Sequence, residues 1–337
     1  MNKLNPKLFD KDIEQVPIRK GYGEGLLLAG ELDKNVVALC ADLTESTQTH
    51  HFAKKFPERF IEIGVAEQNL AATASGMAAM GKIPFITSYA MFSPGRNWEQ
   101  IRTTVCYNDR PVKIVGSHAG ISVGPDGGTH QAIEDIAIMR VIPRMIVLSP
   151  CDSIEAKKAT MAAAKTGTPV YIRLGREKTP VITTEKTPFE IGKAQIFFDP
   201  GGSTISTAGK KSDDAAIIAT GSLLYKALQV AKNFEKEGIN VKVINLATIK
   251  PLDESTILKV AKETKAIVTV EEHQVRGGMG SAVAEFLAEN YPVPIEFVGV
   301  HDDFGQSGTP DELIEHYGMG EKAIKAAVEK VLKRKKA

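Results

Sequence analysis

The chain has 337 residues, enough for two domains around a sizeable buried core, and its 42 Lys and Arg against 41 Asp and Glu leave a formal charge of +1. That balance creates no field favouring nucleic acid or an anionic membrane. Three widely spaced cysteines, Cys40, Cys106 and Cys151, form no CxxC pair, which excludes a disulfide framework and a zinc site and fits a reducing, cytoplasmic setting.

From the N-terminus, MNKLNPKLFDKDIEQ lacks the apolar stretch of a signal peptide, and no run of about 18 apolar residues occurs that could span a membrane. Short β-rich runs then alternate with helical stretches: NVVALCAD, RFIEIG, IPFITS, PVKIVGS, MIVLSP and PVYIRL. The alternation predicts βαβ units around a parallel sheet covered on both faces. Between RFIEIG and IPFITS lies a helix of small and apolar residues headed by Glu67; with no polar face to turn to water, it should be buried and its acid with it. After Arg176 the stretch EKTPVITTEKTPFEIGK, rich in Pro, Thr and Lys, has no helical period and suits a linker. Further strands, DAAIIAT, VKVINL, KAIVTV and PIEFVGV, precede a closing helix whose basic end, LKRKKA, complements its own dipole. The fold class is α/β in two domains: a doubly wound parallel-sheet domain over 1–178, a linker over 179–193 and a smaller α/β domain over 194–337.

In doubly wound sheets, ligands bind beyond the carboxyl ends of the strands, and Asp42, Glu67, Tyr89, Phe92 and His118 each follow a strand run. Glu67 could complement the helix dipole or serve a ligand. Tyr89 and Phe92 could be core or a bed for a flat ring. His118, Asp126 and His130 surround a glycine-rich loop, HAGISVGPDGGTH, whose glycines would admit a ligand close to the backbone and whose side chains suit a polyhydroxy substrate. Their spacing matches no zinc motif, so no metal ligands are expected in this chain. Arg19 and Arg176 could meet a phosphate with paired hydrogen bonds or form surface ion pairs. The TGS turn at Thr220–Ser222 could cradle an anion but reads more readily as a helix N-cap by Ser222, and His273 and His301 read as structural or interfacial residues.

The run RFIEIGVAEQNLAATASGMAAMG, Arg59 to Gly81, resembles the GxxE segment of transketolases, and SHAGISVGPDGGTHQ, Ser117 to Gln131, resembles their substrate loop. The likeness covers most of the chain and identifies a pyrimidine-binding domain followed by the family's C-terminal domain. It implies that Glu67 touches the aminopyrimidine ring of thiamine diphosphate, its carboxyl kept largely protonated by burial. Tyr89 and Phe92 would bed that ring, with Asp42 and its neighbour Leu43 near the cofactor. His118 would reach the substrate phosphate or hydroxyls, Asp126 would bind a sugar hydroxyl, and His130 would approach the reacting carbonyl, so that Glu67, His118 and His130 carry the catalysis. Arg19, Ser46 and Arg176 match positions that hold the sugar phosphate. Gly95 stands where many full-length members have a third aromatic.

One family feature is absent. Thiamine enzymes hold the diphosphate through Mg2+, with a GDG motif and, about 25 to 30 residues later, Asn; this chain has no Gly-Asp-Gly, and no Asn between Asn108 and Asn233. The resemblance therefore implies the C-terminal subunit of a split transketolase, working with a separate N-terminal subunit that supplies the magnesium ligands, in an α2β2 assembly. The implied reaction transfers a two-carbon ketol unit from a ketose phosphate to an aldose phosphate. Three alternatives share features of the pattern. Deoxyxylulose-phosphate synthase typically has Arg in place of His118, the β subunit of 2-oxo acid dehydrogenases is not expected to carry the Asp126–His130 loop, and a non-catalytic thiamine-binding subunit needs no sugar-phosphate site.

Overall fold

A computed structural model describes residues 4–200 and 214–336. The apolar runs form strands because their alternate side chains find cover on both sides of a sheet. Val36 and Ala38 pack in one core with Tyr22, Leu26 and Ala159, while Val37 and Leu39 pack on the opposite face with Leu70, Ala74 and Ile114. The resulting seven-stranded sheet runs in the order Thr248–Lys250, Ile146–Leu148, Val170–Arg173, Lys113–Ser117, Ile83–Tyr89, Val36–Cys40, Phe60–Glu62. All its neighbours are parallel except Thr248–Lys250, an antiparallel edge strand lent by the second half of the chain.

A five-stranded sheet forms the second half, in the order Ile295–Val300, Ile267–Gln274, Ala215–Ala219, Val241–Asn245, Gln195–Phe198, with only Gln195–Phe198 antiparallel. The two halves share a core: Ile136, Met139 and Val147 belong to the same apolar cluster as Ile218, Ile244 and Val283. The closing helix, Glu321–Lys336, ends in four basic residues, as its sequence predicts.

Three expectations are corrected. The stretch read as a linker is strapped to the first domain: Lys178–Pro180 pairs with Gln15–Pro17, and Asp152 accepts hydrogen bonds from Ile182 N (2.8 Å) and Thr183 N (2.5 Å). Its Pro and Thr content marked irregular backbone, and that backbone is fixed by hydrogen bonds rather than free. The small-residue helix, Glu67–Ala79, is buried along one side only; Gln68, Asn69, Ala72, Gly76 and Ala79 are exposed, and Met80 beyond its end is 83% exposed. Small side chains made the helix look uniformly apolar, but a single sheet covers only one face. Ser222 is not an N-cap: its Oγ donates to the buried Glu272 Oε2 at 2.8 Å, and no side chain caps this helix start.

Candidate active site

The carboxyl ends of the first sheet gather most of the residues singled out from sequence. The helix Glu67–Ala79 begins five residues after the strand Phe60–Glu62, which places Glu67 at the rim with its side chain 1% exposed. Arg96 Nη1 donates to Glu67 Oε2 at 2.7 Å, and Asn97 Nδ2 donates to the Glu67 carbonyl at 2.9 Å. The acid is buried, as expected from its helix, and it forms an ion pair with a half-exposed guanidinium that the sequence reading did not anticipate. The same guanidinium lies 4.9 Å over the Phe92 ring. Phe92 and Tyr89 come from the turn that follows Ile83–Tyr89, where Phe92 N donates to the Tyr89 carbonyl; their rings lie 16° from parallel with centroids 6.1 Å apart. The stack continues from Tyr89 to His118, at 3.9 Å and 23°, and His130 meets Phe92 edge-on at 5.4 Å.

His118 follows Lys113–Ser117 with a left-handed φ of +56°, is 3% exposed, and has its Nδ1 2.9 Å from Ser117 Oγ. Burial, with further contributions from Arg19 and Arg176, pushes its pKa down to about 3, so the ring is neutral. Those arginines come from opposite ends of the domain's sequence, Arg19 from the first turn of Ile18–Leu32 and Arg176 from just beyond Val170–Arg173. They are tied together by a bond from Arg19 Nη1 to the Arg176 carbonyl. Arg176 Nη1 in turn donates to the Val123 carbonyl at 2.9 Å and to Glu177 Oε1 at 3.1 Å. Arg19 Nε is buried with no hydrogen-bond partner among the described residues, a donor available to an anion.

The glycine-rich loop departs from its sequence reading. Its glycines admit the second domain, not open space for a ligand. A Cβ built on Gly120 (φ +91°) would lie 2.3 Å from Glu272 Oε1, on Gly127 (φ +76°) 2.7 Å from Ser307 Oγ, and on Gly128 2.5 Å from the Gly305 carbonyl oxygen. Asp126 sits on the exposed part of this loop, and its side chain makes no hydrogen bond among the described residues. Asp42, Leu43 and Ser46 are grouped apart from the aromatic stack, in an open hollow of about 300 Å3 that they share with Thr44, Glu45 and His50. Glu62 shapes that turn by accepting from Asp42 N at 2.7 Å and Thr44 Oγ1 at 2.9 Å. A cavity of about 580 Å3 lies elsewhere, between the domains; it is lined by Glu177, Glu272, Asp311 and Glu321 against Lys178 and Lys226, and it lacks the aromatic pair.

Sequence reasoning missed Arg96 and Glu272. Arg96 was within reach of it, since a cation four residues after Phe92 in a turn beside a buried acid is a spacing signal. Glu272, at the end of a strand 150 residues beyond Ser122, gave none, yet its Oε1 accepts from Ser122 N at 2.6 Å. Among the described residues no group of three or more His, Cys, Asp or Glu could hold a metal ion. Nor is any described helix long and apolar enough to cross a membrane.

Comparison with known proteins places this geometry. The model of the transketolase pyrimidine binding domain matches residues 14–181, and that of the transketolase C-terminal domain matches residues 207–324. A Methanocaldococcus jannaschii protein named "Putative transketolase C-terminal section" is 45% identical over 320 residues, 94% of this chain and 96% of that one. The 6-deoxy-6-sulfo-D-fructose transketolase subunit SqwH of Clostridium sp. (strain MSTE9) is 40% identical over 327 residues, 97% of this chain and 98% of that one. Among solved structures, one described as "Split gene transketolase, inactive beta4 tetramer" superposes with a TM-score of 0.85 at 43% identity, covering 95% of this chain and 99% of that one.

Proposed function

The chain belongs to the transketolase family, and we propose that it is the pyrimidine-binding half of a two-subunit transketolase that moves a two-carbon ketol unit between sugar phosphates. The observation that carries this reading is the continuity of the site. Glu67, Arg96, Phe92, Tyr89 and His118 form one unbroken chain of contacts, with the charges of Arg19 and Arg176 acting on its far end. One end offers a buried acid beside two near-parallel aromatic rings, which fits a flat heteroaromatic ring; the other offers guanidinium groups, one with a free buried donor, which fits a phosphate.

The residues present thus fit the pyrimidine half of thiamine diphosphate, on which the family depends: Glu67 would meet a ring nitrogen, and Tyr89 and Phe92 would bed the ring. When bound, that cofactor supplies the electron sink that carbon–carbon cleavage and transfer require. The diphosphate and its Mg2+ fall to a partner chain carrying the GDG and Asn elements, since this sequence has neither. The solved relative described as an inactive β4 tetramer supports the division, as a protein whose like chains assemble without activity.

Within the chain each residue's task follows from its surroundings. His118, kept neutral, can donate to or accept from a sugar oxygen without adding charge, and its link to Ser117 Oγ fixes the ring. Arg19 and Arg176 orient the anionic end of the sugar, and His130, edge-on to the aromatic bed, lies where a substrate placed over that bed would be touched. Arg96 engages only Glu67 Oε2, which leaves the other carboxyl oxygen for the ring nitrogen.

Co-purification with a separate GDG-bearing partner chain tests the reading. The complex with thiamine diphosphate and Mg2+ should transfer ketol units between sugar phosphates, the chain alone should not, and Glu67→Ala should lower the complex's rate by roughly 100- to 10,000-fold. Full turnover by the isolated chain, or a Glu67→Ala complex with most of its rate, would overturn it.

A further inference from the structure

The second domain contributes no side chain to the stack just described, yet its segment Asp302–Pro310 lies along the loop that carries Asp126 and His130. Contacts run the length of that loop. Beyond those at Gly120, Gly127 and Gly128, a Cβ on Gly124 would sit 3.2 Å from Pro310 Cγ. Gln131, 2% exposed, donates from Nε2 to the Ile121 carbonyl on its own side (3.0 Å) and to the Gln306 carbonyl across the domain boundary (3.0 Å). Gly305 faces the same amide so closely that a Cβ there would stand 1.7 Å from Gln131 Oε1. The segment is itself anchored: Gln274 donates to the Asp303 carbonyl at 2.9 Å and accepts from Asp302 N at 3.0 Å, and Tyr317 Oη donates to the Phe304 carbonyl at 2.8 Å. At the loop's other end Glu272 bridges Ser122 N and Ser222 Oγ.

We propose that the second domain is the positioning element for substrate selection: its Asp302–Pro310 segment and Glu272 mould the loop that presents Asp126 and His130, with the Gly305–Gln131 contact as the control point. The physical ground is that a loop of this composition has few conformational restraints of its own, so its shape is set by what packs on it. The loop's role toward sugar rests on the functional reading above; its dependence on the second domain does not.

Gly305→Ala is the direct perturbation, and Gln131→Ala is its partner in a double-mutant cycle. Hydrogen–deuterium exchange on the chain alone should show residues 120–131 exchanging about tenfold faster in Gly305→Ala, with the strands Val36–Cys40 and Ile83–Tyr89 unchanged. The effect should shrink when Gln131 is already Ala, because the clash is gone. In the complex with its partner, KM for sugar phosphate should rise by roughly 10- to 100-fold while affinity for thiamine diphosphate holds, a split that general destabilisation would not give. If Gly305→Ala fails to fold, Gln131→Met adds no bulk, removes the bond to the Gln306 carbonyl and should raise exchange in the same peptide. Unchanged exchange over 120–131 in the variant that folds, or strict additivity in the cycle, overturns the proposal. A wild-type complex without ketol transfer would sink the function assigned above and leave the exchange result standing.

Discussion

Glu155 offers a test of how the two domains are held together. It lies in the first turn of the helix Ser153–Ala164, 2% exposed, accepting from Cys151 N and from Asn245 Nδ2, each at 2.7 Å; Asn245 closes a strand of the second domain. Burial, reinforced by the neighbouring Asp152 carboxylate, raises its pKa from 4.5 to about 7. The folded chain therefore holds this proton more tightly than the unfolded chain does. Its contribution to stability is fully present below about pH 4.5 and is lost as pH rises through about 7. At about 1.36 kcal/mol per unit of displacement, the loss amounts to roughly 3 kcal/mol. Glu155→Gln removes the titration and keeps the shape. The new carbonyl accepts from Cys151 N, and the new amide can donate to Asn245 Oδ1, a buried acceptor now without a partner, once the Asn245 amide turns over. Urea unfolding of both chains at steps from pH 4.5 to 8 should give curves that diverge by about 3 kcal/mol, with wild type falling relative to the variant. Other titrations are common to both and cancel. Parallel curves would refute the reasoning, as would a variant that falls more steeply than wild type.

Two further outcomes are expected. Arg96→Ala strips the partner from a carboxylate that is 1% exposed and should lower stability by about 1 to 3 kcal/mol, below the range for a fully buried pair because Arg96 is itself half exposed; in a Glu67→Gln background the cost should largely vanish, and a cost that persists there would place the effect elsewhere. Arg176→Ala should raise KM for phosphorylated sugars by roughly 10- to 150-fold with less change in kcat, from the loss of about 1.5 to 3 kcal/mol of charged hydrogen bonding; equal damage toward unphosphorylated sugars would remove the phosphate assignment.

Much of the architecture was legible because it rests on local pattern. Short runs rich in β-branched residues such as NVVALCAD and PVKIVGS read as strands covered on both faces, and each becomes an interior strand of the first sheet, fully buried along its length. The rim residues were legible for the same reason: a residue just past a parallel strand is delivered to one edge whatever follows. Tyr89, Phe92 and His118 are brought into a stack on that ground alone. The strapped segment after Arg176 was not, because Pro and Thr content reports irregular backbone and carries no information on what that backbone hydrogen-bonds to.

The sequence by itself determined the strand order's raw material, the family, and the identity of an acid, an aromatic pair, two histidines and two arginines at strand ends. The residues follow from short-range spacing, which a single chain displays in full, and the family from the resemblance of two motif runs to transketolases. Only the tertiary structure decided what those residues face. It set Arg96 against Glu67, burial and two guanidinium groups against His118, and an entire second domain against glycines that had looked like room for a ligand. The physical reason is common to all three: charge state and loop shape depend on atoms within about 4 Å, and in a folded chain those atoms come from residues tens to hundreds of positions away, where periodicity and motif are silent.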